Sequence, residues 1–167
     1  LDYLSLNSLE NIDIKEIYGE DFVSGTSSGF DFIEFSANKV KEVPAGFFKN
    51  GGYNMVANLE AVETVCEGAF ENASVTEINA PNLKKICDKA FYNATLFNSL
   101  DVDDVTFIGD YCFYNCSKLH FDGSLSKLER LGSYSFKGCK ENILGSMHFD
   151  NLKIVQEHAF EGIWSDD

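Results

Sequence analysis

Positive charge is scarce in this chain. Across 167 residues, 13 Lys and Arg stand against 27 Asp and Glu, a formal net charge of −14 at pH 7. That balance excludes ordinary nucleic-acid binding, in which Lys and Arg neutralise phosphates. An anionic membrane surface would repel the chain for the same reason. A partner recognised through charge is a basic protein or a cation, and a partner indifferent to charge is a neutral glycan. No run of 18 apolar residues occurs, so no segment reads as a bilayer-spanning helix. A P-loop, a dinucleotide glycine motif, an HExxH pair and a calcium-hand loop are also missing. Cysteine is absent from the first 65 residues and the last 28. The chain opens at Leu1 rather than Met, as expected of a processed or trimmed product.

What the chain does contain is a repeat. An aliphatic residue, two variable positions, a second aliphatic and then a phenylalanine five places on recur seven times. The second aliphatic, here called the anchor, and its phenylalanine are Ile17/Phe22, Val43/Phe48, Val65/Phe70, Ile86/Phe91, Ile108/Phe113, Leu131/Phe136 and Val155/Phe160. Steps between successive phenylalanines run 26, 22, 21, 22, 23 and 24 residues. A period in the low twenties marks a stacked-repeat solenoid, in which no unit buries its apolar face alone. The repeat runs from about residue 9 to 163, leaving no room for a second fold. With 44% hydrophobic and 14% aromatic residues, an ordered core is expected and disorder is not.

Each column of the repeat has its own chemistry. Three places before the anchors stand Ile14, Val40, Val62, Leu83, Val105, Leu128 and Leu152, a core column. Eight places before them stand Leu9, Phe35, Ala57, Ile78, Leu100, Gly123 and Met147, with Phe121 expected to take over where glycine breaks the pattern. Its neighbours are mostly polar (Glu34/Ser36, Glu77/Asn79, Ser99/Asp101, Ser146/His148), the alternation of a short half-buried strand. Before each phenylalanine the residue is usually small, and three beyond it come Gly25, Gly51, Ala73, Ala94, Cys116, Cys139 and Ile163. That spacing predicts one or two turns of helix against the core. The intervening column, Ser24, Asn50, Asn72, Asn93, Asn115, Gly138 and Gly162, favours left-handed geometry and helix termination. Stacked at strand spacing, seven units make a body about 35 Å long, and each phenylalanine contributes about 2–3 kcal/mol of burial.

The cassettes Leu83–Ala94 (LKKICDKAFYNA), Val105–Cys116 (VTFIGDYCFYNC) and Leu128–Cys139 (LERLGSYSFKGC) resemble BspA-like leucine-rich repeats, read roughly as L-x-x-I-x-x-x-A-F-x-x-C. Val62–Ala73 and Leu152–Ile163 follow the same form; the first two units depart most, through the SGTSSG loop at 24–29 and the Val43–Phe47 stretch. The resemblance implies an α/β repeat: a right-handed leucine-rich-repeat solenoid with a narrow parallel β-sheet on one face and short helical turns on the other. It implies a single solenoid over 1–167, about seven repeats, part of a longer surface protein. It further implies a secreted or cell-surface binding module, often adhesive, without identifying a ligand.

Several residues that could carry chemistry also have packing roles. Cys112, Cys116 and Cys139 fall in core columns and read as small buried hydrophobes rather than half of a zinc site. Cys66 and Cys87 follow their anchors in adjacent units, so their Cα atoms should lie roughly 5 Å apart, within disulfide reach; a bond and two unpaired thiols both stay open. Ser146, His148 and Asp122 form a triad on paper only, for no strained nucleophile turn or oxyanion glycines accompany them. Glu10, Glu34, Glu77, Asp101 and Asp122 form an acidic stripe, with Asp103 and Asp104 nearby, that either solvates a sheet face or recognises a basic partner. Asn72, Asn93 and Asn115 begin glycosylation acceptor sequences, but their turn column already explains them as structural. The column Glu20, Gly46, Gly68, Lys89, Tyr111, Tyr134 and His158 reads as variable and exposed. Trp164 is placed to cover one end of the phenylalanine stack.

The sequence therefore points to a non-enzymatic protein- or glycan-binding module at a cell surface or outside the cell. No cofactor or metal is expected. The candidate partner-binding strand face is Glu34, Ser36, Glu77, Asn79, Ser99, Asp101, Asp122 and His148. The alternative is a structural spacer with no ligand of its own. Exposed aromatics would separate the two, because binding hot spots are rich in Trp, Tyr and Arg.

Overall fold

A computed structural model describes residues 2–5, 33–52, 54–140 and 148–163. Within them the chain winds into parallel coils, each crossing two narrow sheets. The first sheet holds β1 (Asp2–Ser5), β2 (Ile33–Ser36), β4 (Met55–Asn58), β6 (Val75–Asn79), β8 (Ser99–Asp101) and β10 (His120–Asp122), in that spatial order. The second holds the two-residue strands β3 (Glu42–Val43), β5 (Thr64–Val65), β7 (Lys85–Ile86), β9 (Phe107–Ile108), β11 (Arg130–Leu131) and β12 (Ile154–Val155). Each of the six described anchors ends one of these short strands, a second ladder that the sequence pattern did not announce.

Strand alternation emerges as the polar–apolar pattern requires. Phe35, Ala57 and Ile78 align across β2, β4 and β6 and point inward, while Phe121 aligns with Leu100. Phe121 thus does the work that Gly123 cannot. One bulge interrupts the register between Met55 and Val56, and there Thr76 donates its hydroxyl to the Met55 carbonyl at 3.0 Å.

The expected helical turns are not there: the described residues contain no helix. The reason is backbone handedness. Each described turn holds two left-handed residues four apart, Gly46 and Asn50, Gly68 and Asn72, Lys89 and Asn93, Tyr111 and Asn115, Tyr134 and Gly138, His158 and Gly162. A right-handed helix cannot run through such positions. The turns instead alternate i→i−3 bonds, such as Ala90 N to Cys87 O at 3.2 Å, with bonds to the next coil. The amides of Phe48, Phe70, Phe91, Phe113 and Phe136 donate to the carbonyls of Ala69, Ala90, Cys112, Ser135 and Ala159 at 2.7–3.1 Å. Backbone polarity that a helix would satisfy locally is satisfied here between coils.

Those bonds set the coil spacing and stack the rings. Phe48, Phe70, Phe91, Phe113, Phe136 and Phe160 follow one another at centroid distances of 4.9, 5.2, 5.4, 5.8 and 5.9 Å with planes within 23°. The seventh ring, Phe22, lies outside the described residues, as do Ile14, Ile17, Leu9, Met147, Trp164 and the 24–29 loop. Around the stack, Val43, Val65, Ile86, Ile108 and Leu131 are fully buried. Val155, the last anchor, is 50% exposed.

Candidate binding surfaces

Two outward rows flank the buried central row of the first sheet. One aligns Glu34, Val56, Glu77, Ser99 and His120; in the other, Ser36, Asn58 and Asn79 align, and Asp101 aligns with Asp122. Glu77, Asn79, Asp101 and His120 are exposed, while Glu34 and Ser99 are half-buried. Ser36 differs from the rest: it is 3% exposed, and its hydroxyl donates to Asn38 Oδ1 at 3.3 Å. Asn58 Nδ2 donates to Glu34 Oε1 at 3.0 Å, tying neighbouring strands. His148 is exposed but lies outside any strand, so it does not extend the row. Glu10 and Ser146 lie outside the described residues.

Part of the acidity near this face is structural. Asp101 Oδ1 accepts from the Asp103 amide at 3.0 Å, and Asp103 Oδ1 accepts from the Ser124 amide at 2.7 Å. Among the described residues no cluster of three or more His, Cys, Asp or Glu could hold a metal ion. From β2 to β10 the two rows, as described, carry no Phe, Tyr or Trp.

Cys112, Cys116 and Cys139 are buried, and Cys116 and Cys139 turn their thiols to the carbonyls of Phe91 and Phe113 at 3.0 and 3.1 Å. Burial holds the Cys112 and Cys116 thiols well above the usual range and pushes Cys139 up to about 12. Cys66 and Cys87 are unpaired and half-buried, their thiols also raised by burial.

The asparagine column forms its own ladder. Asn72 Nδ2 donates to Asn50 Oδ1, and Asn93 Nδ2 to Asn72 Oδ1, both at 3.0 Å. The nitrogen a glycan would occupy on Asn72 and Asn93 is thus engaged in the fold. At Gly138 a Cβ would come within 2.3 Å of Asn115 Oδ1, so glycine leaves that side chain its place.

The surface that sequence reading missed is the turn rim. Tyr111 stacks on Tyr134 at 5.1 Å, Tyr134 on His158 at 4.7 Å, and Tyr92 on Tyr114 at 4.9 Å. Tyr111 and Tyr114, 6.1 Å apart, join the two stacks into one patch. Lys137 lies over the Tyr134 ring at 5.2 Å and pairs with Glu161, which also contacts His158 Nδ1 at 2.8 Å. Partial burial and the nearby Glu161 carboxylate raise the Tyr134 phenol above its usual range. Tyr111, Tyr134 and His158 all adopt φ of 53–56°. Left-handed geometry costs such residues about 1–2 kcal/mol each. Two stacked pairs offset about 1–3 kcal/mol of that total, and the partial burial of the rings offsets more. The signal was the adjacency of Tyr111 and Tyr134 in one column, which reads as mere variability until the coils are stacked.

Residues 41–165 match the family model described as BspA type Leucine rich repeat region, in six copies. In shape the chain is similar to a leucine-rich repeat protein from Bacteroides ovatus at 20% identity and a TM-score of 0.66, over 94% of this chain and 42% of that one. A leucine-rich repeat protein from Eubacterium ventriosum aligns at 21% identity and a TM-score of 0.47, over 80% of this chain and 44% of that one. The chain therefore spans less than half the length of either. No curated protein matches it.

Proposed function

Because the chain belongs to the BspA-type leucine-rich repeat family, we propose that it is a non-enzymatic protein- or glycan-binding module of a cell-surface or secreted protein, serving adhesion or host interaction. The described strand rows carry no aromatic anchor, which favours the spacer there, and what supports the binding reading is their exposed acidic and polar side chains. Glu77, Asn79, Asp101 and His120 stand exposed on a parallel sheet whose register fixes their positions. A rigid, extended, polar surface presents many weak contacts at once without ordering cost. With a net charge of −14, the natural partner is basic.

The reading is tested by titrating the protein with a basic globular protein such as lysozyme and by probing a glycan array. A Glu77→Lys/Asp101→Lys variant is expected to bind the basic protein at least about tenfold more weakly, a loss of about 1.4 kcal/mol. Should neither probe bind the unaltered protein, the chain is a spacer between functional parts of a larger molecule.

A further inference from the structure

We propose that the turn rim formed by Tyr92, Tyr111, Tyr114, Tyr134 and His158 is a second binding surface, distinct from the strand face, and that it takes an arginine-bearing polypeptide segment. The proposal rests on the binding-module reading but not on the residues of the strand face.

Two columns of the same turns contrast. Each described turn has two left-handed positions, and one of them is filled by Asn50, Asn72, Asn93, Asn115, Gly138 and Gly162. Asn and Gly are the residues that tolerate this geometry, so that column needs no further explanation. The other column opens with Gly46 and Gly68 and then switches to Lys89, Tyr111, Tyr134 and His158 at the same φ. Glycine serves the turn in two coils; the bulky residues of the next four are held there against backbone preference. Residues held in this region cluster at functional sites, and three of these four, Tyr111, Tyr134 and His158, stack on one another.

The rim is also preorganised. Its rings are locked against one another at 4.7–5.1 Å across successive coils. A partner therefore meets tyrosine already ordered, the condition under which aromatic anchors become hot spots.

Charge selects the partner. Glu161 and Glu157 lie close enough to Tyr134 to act on its phenol, which places carboxylates beside the ring column, while Asp110, before Tyr111, faces Arg130 Nη2 at 3.9 Å. Asp88 and Asp110 are fixed by accepting the Asp110 and Ser133 amides, each at 2.9 Å. Lys137, over the Tyr134 ring and paired with Glu161, shows in miniature how a cation sits here between ring and carboxylate. Guanidinium suits such a site better than ammonium, since its plane lies on aromatic groups while its fork engages carboxylates.

The test uses a fluorescein-labelled octa-arginine peptide, read by anisotropy near physiological salt. Tyr111→Gly/Tyr134→Gly changes no charge and restores the residue of the first two coils. It is expected to weaken binding at least about tenfold while melting no lower than the unaltered protein. Glu77→Lys/Asp101→Lys is expected to keep the ring-dependent part of the binding, which separates failure of the rim from failure of the strand-face reading. Unchanged affinity in the glycine pair overturns the proposal, and so does displacement of the peptide by a neutral oligosaccharide. A second measurement needs no variant: bound peptide is expected to slow tetranitromethane nitration at Tyr111 and Tyr134, and unchanged nitration rates refute the rim as the contact.

Discussion

Gly109 and Gly132 follow their anchors where consecutive coils meet backbone to backbone. A Cβ on Gly132 would lie 2.3 Å from the Gly109 carbonyl carbon, and one on Gly109 would lie 2.5 Å from the Asp88 nitrogen. Neither contact can relax by turning a side chain. Gly132→Ala is therefore expected to cost about 3 kcal/mol or more in urea unfolding. Gly46, at φ +64 with open space where a methyl would sit, should lose only about 1 kcal/mol as alanine, from backbone geometry alone. Equal losses at the two sites would mean that close approach is not what selects glycine at 132. At this scale the sequence was half legible. Asn and Gly mark the left-handed column because their chemistry tolerates it; tyrosine, lysine and histidine in the other column carry no such mark.

The coil is the next scale, and the phenylalanine stack dominates it. Phe113 is wholly buried between Phe91 and Phe136, whereas Phe160 ends the described stack and is only partly buried. Phe113→Ala is expected to destabilise by about 3–5 kcal/mol, and Phe160→Ala by clearly less, measured by denaturant midpoint at constant slope. Similar losses would show that burial within the stack is not what sets their worth. In a solenoid each coil is stabilised chiefly by its neighbours, so the central ring matters most. The cassette revealed this stack because a phenylalanine every twenty-odd residues has few other places to go. It misled about the turn: small–aromatic–small spacing is shared by a helical turn and by a chain of i→i−3 turns. Left-handed backbone positions four apart and inter-coil hydrogen bonding distinguish them.

Across the whole molecule, charge is the governing term. Inter-coil pairs such as Lys41–Glu63 at 3.1 Å, Lys84–Glu63 at 2.8 Å and Lys49–Glu71 at 2.9 Å draw adjacent coils together. Hydrogen bonds from lysines hold the Glu63, Asp104 and Glu161 carboxyls below their usual range. These pairs are exposed and individually worth little, while the net charge of −14 repels itself at every separation within screening distance. Repulsion should therefore win. Raising ionic strength from about 0.01 to about 0.1 M shortens the screening length from about 30 to about 10 Å, and Tm is expected to rise. A fall would give the ion pairs the larger share. Carboxylates with lowered folded pKa contribute stability above their unfolded pKa and lose it as pH falls through the folded one. The contribution of Glu63, Asp104 and Glu161 is accordingly expected to vanish below the ordinary carboxylate range near pH 4, after milder acidification has relieved repulsion.

Periodicity by itself determined that the chain is a stack of coils with its phenylalanines inside, because side-chain burial has a repeat that linear order displays. It also determined the strand rows, whose alternation is local. The second ladder of short strands, the absence of helix among the described residues, the burial of Ser36 and the tyrosine rim were decided only when one coil lay on the next. The second ladder and the stacked rings of the rim depend on hydrogen bonds or ring contacts between residues more than twenty positions apart, and a pattern read along one coil holds no record of what its neighbour will accept.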